Sequence, residues 1–129
     1  MRYLLDTHTL IWSQDDTSKL PAAVTAALSD PAHDRLLSIV TVWEIGIKVA
    51  LGKLTLSKPF RVWVQTASTD LVLTELPIAL EHVERQMNLP FHHRDPFDRL
   101  LAAQSLSDNI PLISGDTVFD AYGVQRIWT

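Results

Sequence analysis

The chain of 129 residues, 47% hydrophobic and 20% charged, is long enough for one well-buried core and too short for two comfortable domains. It has no cysteine, which excludes disulfides and thiolate metal sites and favours the cytoplasm. The formal charge of −4 excludes a nucleic-acid binder that relies on basic phosphate contacts alone, so either the acids cluster around a cation or nucleic acid is not the ligand. The opening residues lack the segments of a secretory signal, and no apolar run is long enough for a membrane span.

In chain order, Arg2 to Leu5 is a short β-rich run ending at Asp6-Thr7. Pro21 to Leu28 is Ala-rich, with Pro near a first helical turn. Leu36 to Val40 predicts a second buried strand, and Thr41 to Leu51 a helix with Val42, Ile45 and Val49 at helical spacing that stops at Gly52. Helices are expected over Pro59 to Ala67, Ile78 to Met87 and Pro96 to Leu106. Strands are expected over Leu71 to Leu76, Pro111 to Ser114 and, more weakly, Val124 to Trp128. This alternation predicts a single α/β domain over residues 1–129, a parallel sheet of about five strands with helices on both faces. Ligands of such sheets bind beyond the carboxyl ends of the strands, near a topological switch point.

Four acids fall where that rule directs attention. Asp6 follows the first strand, Glu44 lies in the helix after the second, Asp98 in the first turn of the Pro96 helix, and Asp116 after Leu112-Ile113-Ser114-Gly115. Each has a capping role available as well. Asp95 reads as N-cap before Pro96, Thr41 to Glu44 matches a capping box, and Asp6 and Asp116 precede short helices. The surroundings of Glu44 (Trp43, Ile45, Ile47) are apolar, and an i,i+4 pair with Lys48 is a weak partner for a buried carboxylate. Carboxylates gathered at one sheet end repel unless protonated or bridged by a cation, and an all-oxygen set suits Mg²⁺, with Mn²⁺ as substitute.

The segments Leu4-Leu5-Asp6-Thr7-His8, Trp43 to Lys48, His93 to Ala103 and Ser114-Gly115-Asp116 together resemble the PIN-domain family, closest to VapC-type toxin ribonucleases. The resemblance runs from Leu4 to Val124 and implies a five-stranded parallel sheet and a Mg²⁺ or Mn²⁺ site. It also implies RNA hydrolysis leaving a 5′-phosphate and a 3′-hydroxyl, a homodimer, and a cognate antitoxin that covers the pocket. By position, Asp6, Glu44, Asp98 and Asp116 are the implied metal-binding and catalytic acids, with Asp95 an accessory candidate. Ser114-Gly115-Asp116 departs from the commoner Thr-Arg-Asp form and removes a basic residue near the pocket.

In the mechanism this suggests, metal-bound water attacks the phosphodiester in line, and Thr7 and Ser114 either orient waters and phosphate oxygens or satisfy backbone groups at strand ends. Lys48 and Arg99 are equally readable as phosphate contacts or as salt-bridged, solvated residues. Adjacent His92-His93 does not have the spacing of a structural zinc site. Trp12, Trp43, Trp63 and Trp128 read as core or partner-contact residues rather than base-stacking platforms. Two rival functions are a catalytically idle PIN-like binding module and a phospho-acceptor signalling domain. The latter fits poorly, because the chain has no Lys beyond Lys58 and no Asp between Asp34 and Asp70.

Overall fold

Apolar residues in short runs make strands whose alternate side chains enter two cores, and that period-two division organises the molecule. The computed structural model describes residues 1–92 and 94–129. Among these, strands β1 (Arg2–Leu5), β2 (Asp34–Ser38), β3 (Leu73–Leu76), β4 (Leu112–Ile113) and β5 (Arg126–Ile127) form one sheet of order β3-β2-β1-β4-β5. Every pairing is parallel. Leu4, Leu36 and Leu112 point into one core; Leu5, Leu37 and Ile113 point into the other.

The second core is closed by α1 (Thr7–Asp15), α2 (Ala22–Ser29), α3 (Ile39–Ala50) and α4 (Phe60–Asp70), through Leu10, Val24, Leu28, Ile45, Trp63 and Ala67. On the opposite face, α6 (Pro96–Asp108) contributes Leu101, Ala102 and Ala103, and α5 (Leu80–Met87) packs beside it. Small Ala side chains let α6 approach the sheet closely, and Asn109 ends the helix in the left-handed conformation at φ 53°. Among the described residues no helix is long and apolar enough to cross a membrane.

Several strand boundaries expected from the sequence are displaced, the second strand's most consequentially. The run from Leu36 to Val40 divides: β2 ends at Ser38, and Ile39 and Val40 belong to the first turn of α3. The Ser38 hydroxyl accepts the Val40 N–H at 3.1 Å and so supplies the N-cap, while Val40 is buried against the core. Apolar β-branched residues gave a strand signal because burial in a first helical turn has the same composition as burial in a strand. Consequently the Thr41-to-Glu44 capping box does not exist, and Glu44 lies in mid-helix. The expected strands at Leu71, Pro111 and Val124 are shortened, the first because α4 continues to Asp70.

Strands β1, β2 and β3 are laid down to one side of the sheet, β4 and β5 to the other, so the order reverses between β1 and β4. That reversal opens a crevice at the carboxyl ends of the two strands.

Candidate active site

Asp6 leaves β1 directly into this crevice and is 5% exposed. Its Oδ1 accepts the Thr9 N–H at 2.8 Å, capping α1 as a strand-to-helix Asp should. The two threonines that follow tie neighbouring elements to it. Thr9 Oγ1 donates to the Ile113 carbonyl at 3.0 Å, linking α1 to β4, and Thr7 Oγ1 donates to Glu44 Oε1 at 2.6 Å, linking it to α3. Of the two roles open to Thr7 from the sequence, the structure selects neither in its simple form: its hydroxyl holds a carboxylate.

Glu44 is 3% exposed, and Lys48 Nζ reaches its Oε2 at 2.5 Å. The i,i+4 pair therefore forms, in a setting more buried than a helix surface, and Thr7 supplies the second partner that a buried carboxylate requires. Burial works against the charge of Lys48, yet the Glu44 hydrogen bond and the charges of Glu44, Asp95 and Asp98 outweigh it and hold its pKa above the ordinary value. Across the crevice, Ser114 Oγ accepts the Asp116 N–H at 3.0 Å, and Asp116 Oδ1 accepts the Val118 N–H at 3.0 Å to start a 3₁₀ turn.

Asp95 is the N-cap of α6, accepting the N–H groups of Phe97 at 2.8 Å and Asp98 at 3.2 Å. Its cap leaves Asp98 half-buried on the first turn. Burial, then the charges of Asp95, Glu44, Asp6 and Asp116, push the Asp98 carboxyl up to about 7. The four acids singled out from the sequence, with Asp95, thus converge on Asp98, which feels the charges of the other four. Asp6 is also raised by burial, against hydrogen bonds from Ser114 and Thr9 and the charge of His8, which lower it.

The aromatic residues divide by position. Trp63 is core, 1% exposed, its indole N–H donating to Asp15 Oδ1 at 3.1 Å. Trp43 is exposed and meets Phe97 edge-on. Trp12 and Trp128, far apart in sequence, meet at 5.9 Å between centroids beside the acids, where a cleft of about 340 Å³ is lined by Asp6, His8, Trp12, Gly115, Asp116 and Trp128. A Cβ on Gly115 would lie 2.9 Å from Trp128 Cε2. The departure at Ser114-Gly115-Asp116 therefore makes room for an indole.

Arg99 answers to neither of its expected descriptions. It is 3% exposed, and its guanidinium donates to the carbonyls of Pro90 at 2.8 Å and of Gln86 and Leu89 at 2.9 and 3.2 Å, so it fastens α5's exit to α6. Because the sequence places it next to Asp98, only the tertiary packing reveals that it points away from solvent. His92 packs against Tyr122, and His93 lies outside the described residues.

The donor chemistry fits a hard divalent cation: oxygen ligands only, in mutual repulsion, at the end of a sheet. Among the described residues no three carboxylate or imidazole groups form a ready-made cage.

Fold and site together define a doubly wound α/β protein with an acidic pocket at its topological switch point. Within that class the chain belongs to the PIN domain family, whose pattern matches residues 3–125. No curated protein matches the chain. Among solved structures it is similar to VapBC2 from Rickettsia felis bound to a promoter DNA fragment, at 16% identity and TM-score 0.74 over 100% of both chains. It is similar also to DNA-bound VapBC from Salmonella typhimurium, at 14% identity and TM-score 0.71 over 98% of this chain and 97% of that one. FitAcB from Neisseria gonorrhoeae shares 21% identity and a TM-score of 0.67 over 97% and 96% of the two chains. At these identities the likeness is one of fold.

Proposed function

We propose that this protein is a Mg²⁺- or Mn²⁺-dependent endoribonuclease of the cytoplasm and the toxin of a toxin–antitoxin pair. The observation that carries the catalytic half is the gathering of Asp6, Glu44, Asp95 and Asp116 around half-buried Asp98 at the switch point, where burial first and then those four charges raise the Asp98 carboxyl to about 7. Such mutual repulsion is relieved by a divalent cation and is otherwise a cost to the fold. Asp6, Glu44, Asp98 and Asp116 would hold the ion; when bound, it lowers the pKa of a coordinated water and stabilises charge on the scissile phosphate.

The chain's own residues prepare that site. Thr7 and Lys48 fix both oxygens of Glu44, while Ser114 bridges Asp6 and the Asp116 backbone. Asp95 orients the first turn of α6 by capping it, and so sets where Asp98 stands. The toxin half of the reading is supported by relatives of like fold that are toxin–antitoxin complexes, from Klebsiella pneumoniae and Mycobacterium tuberculosis among others. On that reading the partners are RNA as substrate, a cognate antitoxin, and a second copy in a homodimer. Exposed Trp43, Leu80, Val83 and Met87 are the apolar side chains that such partners would cover.

The deciding experiment is RNA cleavage with Mn²⁺ or Mg²⁺, with EDTA, and with the Asp6→Asn and Asp98→Asn variants. EDTA should abolish cleavage and each variant should lower it by about 100-fold or more, the scale of a lost electrostatic contact at a reacting phosphate. Undiminished activity in both variants would reject the site; growth arrest by the wild type but not by Asp6→Asn tests the toxin role.

A further inference from the structure

We propose that the aromatic wall of Trp12 and Trp128 is a nucleobase-stacking subsite, seating one base of single-stranded RNA beside the carboxylate pocket. The proposal deepens the ribonuclease reading and rests on it. Trp12 lies on α1, one turn beyond Asp6-Thr7-His8, and Trp128 follows β5, so the topology alone brings them together. Both indoles are half-buried, their rings tilted at 54° to each other, and the exposed His8 ring stands 5.5 Å from Trp12. Asp6 and Asp116 line the same cleft, so a base resting on the indoles places its neighbouring phosphate next to the acids.

The charge distribution favours a base over a phosphate in that cleft. With a net charge of −4 and acids on its wall, the cleft offers phosphate little direct attraction. A neutral π-face does not meet that repulsion, and stacking is indifferent to sequence because every base has such a face. Exposed Lys19, paired with Asp16 at 3.7 Å, holds its ammonium over the Trp12 ring at 5.5 Å from the centroid, so a base uses the indole surface that faces the cleft. Gly115 is the enabling residue: any side chain there would occupy the space that the Trp128 indole fills. The cleft lies at the lower end of the roughly 300–1,000 Å³ typical of ligand sites, enough for a single base rather than a duplex.

The test is binding of a labelled hexaadenylate RNA by anisotropy, in Ca²⁺ with oligomer integrity checked on a gel, to the wild type, Trp12→Ala, Trp12→Phe and Trp128→Ala. An abasic ribose-phosphate hexamer serves as the control, and near-UV circular dichroism checks folding. Trp12→Ala should raise the Kd by about 10-fold, within the range for one lost stacked base, while Trp12→Phe stays near the wild type. The abasic hexamer should bind the wild type about as weakly as Trp12→Ala binds hexaadenylate. Equal affinity of both alanine variants and the wild type, or of intact and abasic oligomers for the wild type, overturns the subsite. A wild type that binds neither oligomer overturns it too. Cleavage separates the two readings: an unchanged KM in Trp12→Ala rejects the subsite and spares the nuclease, whereas wild type that stacks RNA but never cleaves it rejects the nuclease alone.

Discussion

Gly115 concentrates much of what distinguishes this site at the level of single residues. Its missing side chain admits Trp128, and the consequence is measurable without substrate. Gly115→Ala would force the indole from its position, since Cβ at 2.9 Å from Cε2 is closer than real contacts allow. We expect a shift in tryptophan emission and weaker hexaadenylate binding, with a melting temperature lowered by only a few degrees, because Gly115 is exposed and the ring is the part that moves. Emission identical to the wild type would mean that the backbone, not the indole, had yielded. Thr7 carries comparable weight. Its identity was plain in the sequence, but its service to Glu44 was not, since the two are 37 positions apart.

At the scale of elements, α6 shows capping and function carried by adjacent residues. Asp95 satisfies two N–H groups of the first turn, so Asp95→Ala should cost about 1 kcal/mol of stability, the usual value of an N-cap. It also removes the largest of the neighbouring charges that raise Asp98, so the Asp98 carboxyl should titrate at lower pH in this variant. Chemical denaturation reads the first effect and carboxyl-carbon NMR titration the second. A stable variant with an unmoved Asp98 would contradict both. Helix α3 teaches a different lesson: its first turn was written in residues that also suit a strand, and Ser38 decided the boundary through a cap and a buried 2.5 Å hydrogen bond to Gln104 of α6.

For the whole molecule, the acidic pocket makes stability depend on pH in a direction opposite to that of ordinary salt-bridged acids. The folded state retains the Asp98 proton up to about pH 7, while the unfolded chain releases it near 3.8. Between those values the native state binds more protons, so stability falls as pH rises through the window. Asp6, also raised, acts in the same sense. In EDTA the melting temperature should therefore drop between pH 5 and pH 8. Asp98→Asn should flatten the dependence and stabilise the protein at pH 8 by roughly 1–2 kcal/mol, after allowance for solvent screening at this half-buried position. Mn²⁺ should raise the wild-type melting temperature more than that of Asp98→Asn. A wild type equally stable at both pH values would contradict the mutual repulsion.

The sequence by itself determined the alternation of strands and helices and which four acids deserve notice, because burial in strands and helix starts leaves local, periodic marks. It determined the Asp95 cap for the same reason. Tertiary structure alone decided the rest. Whether Arg99 met solvent or carbonyls, whether Trp12 and Trp128 met at all, and which partner held Glu44 depended on elements distant in the chain and brought together by the sheet order. A local pattern specifies a residue's own backbone; the field, the burial and the neighbours that give its side chain a function are set by the strands and helices packed around it.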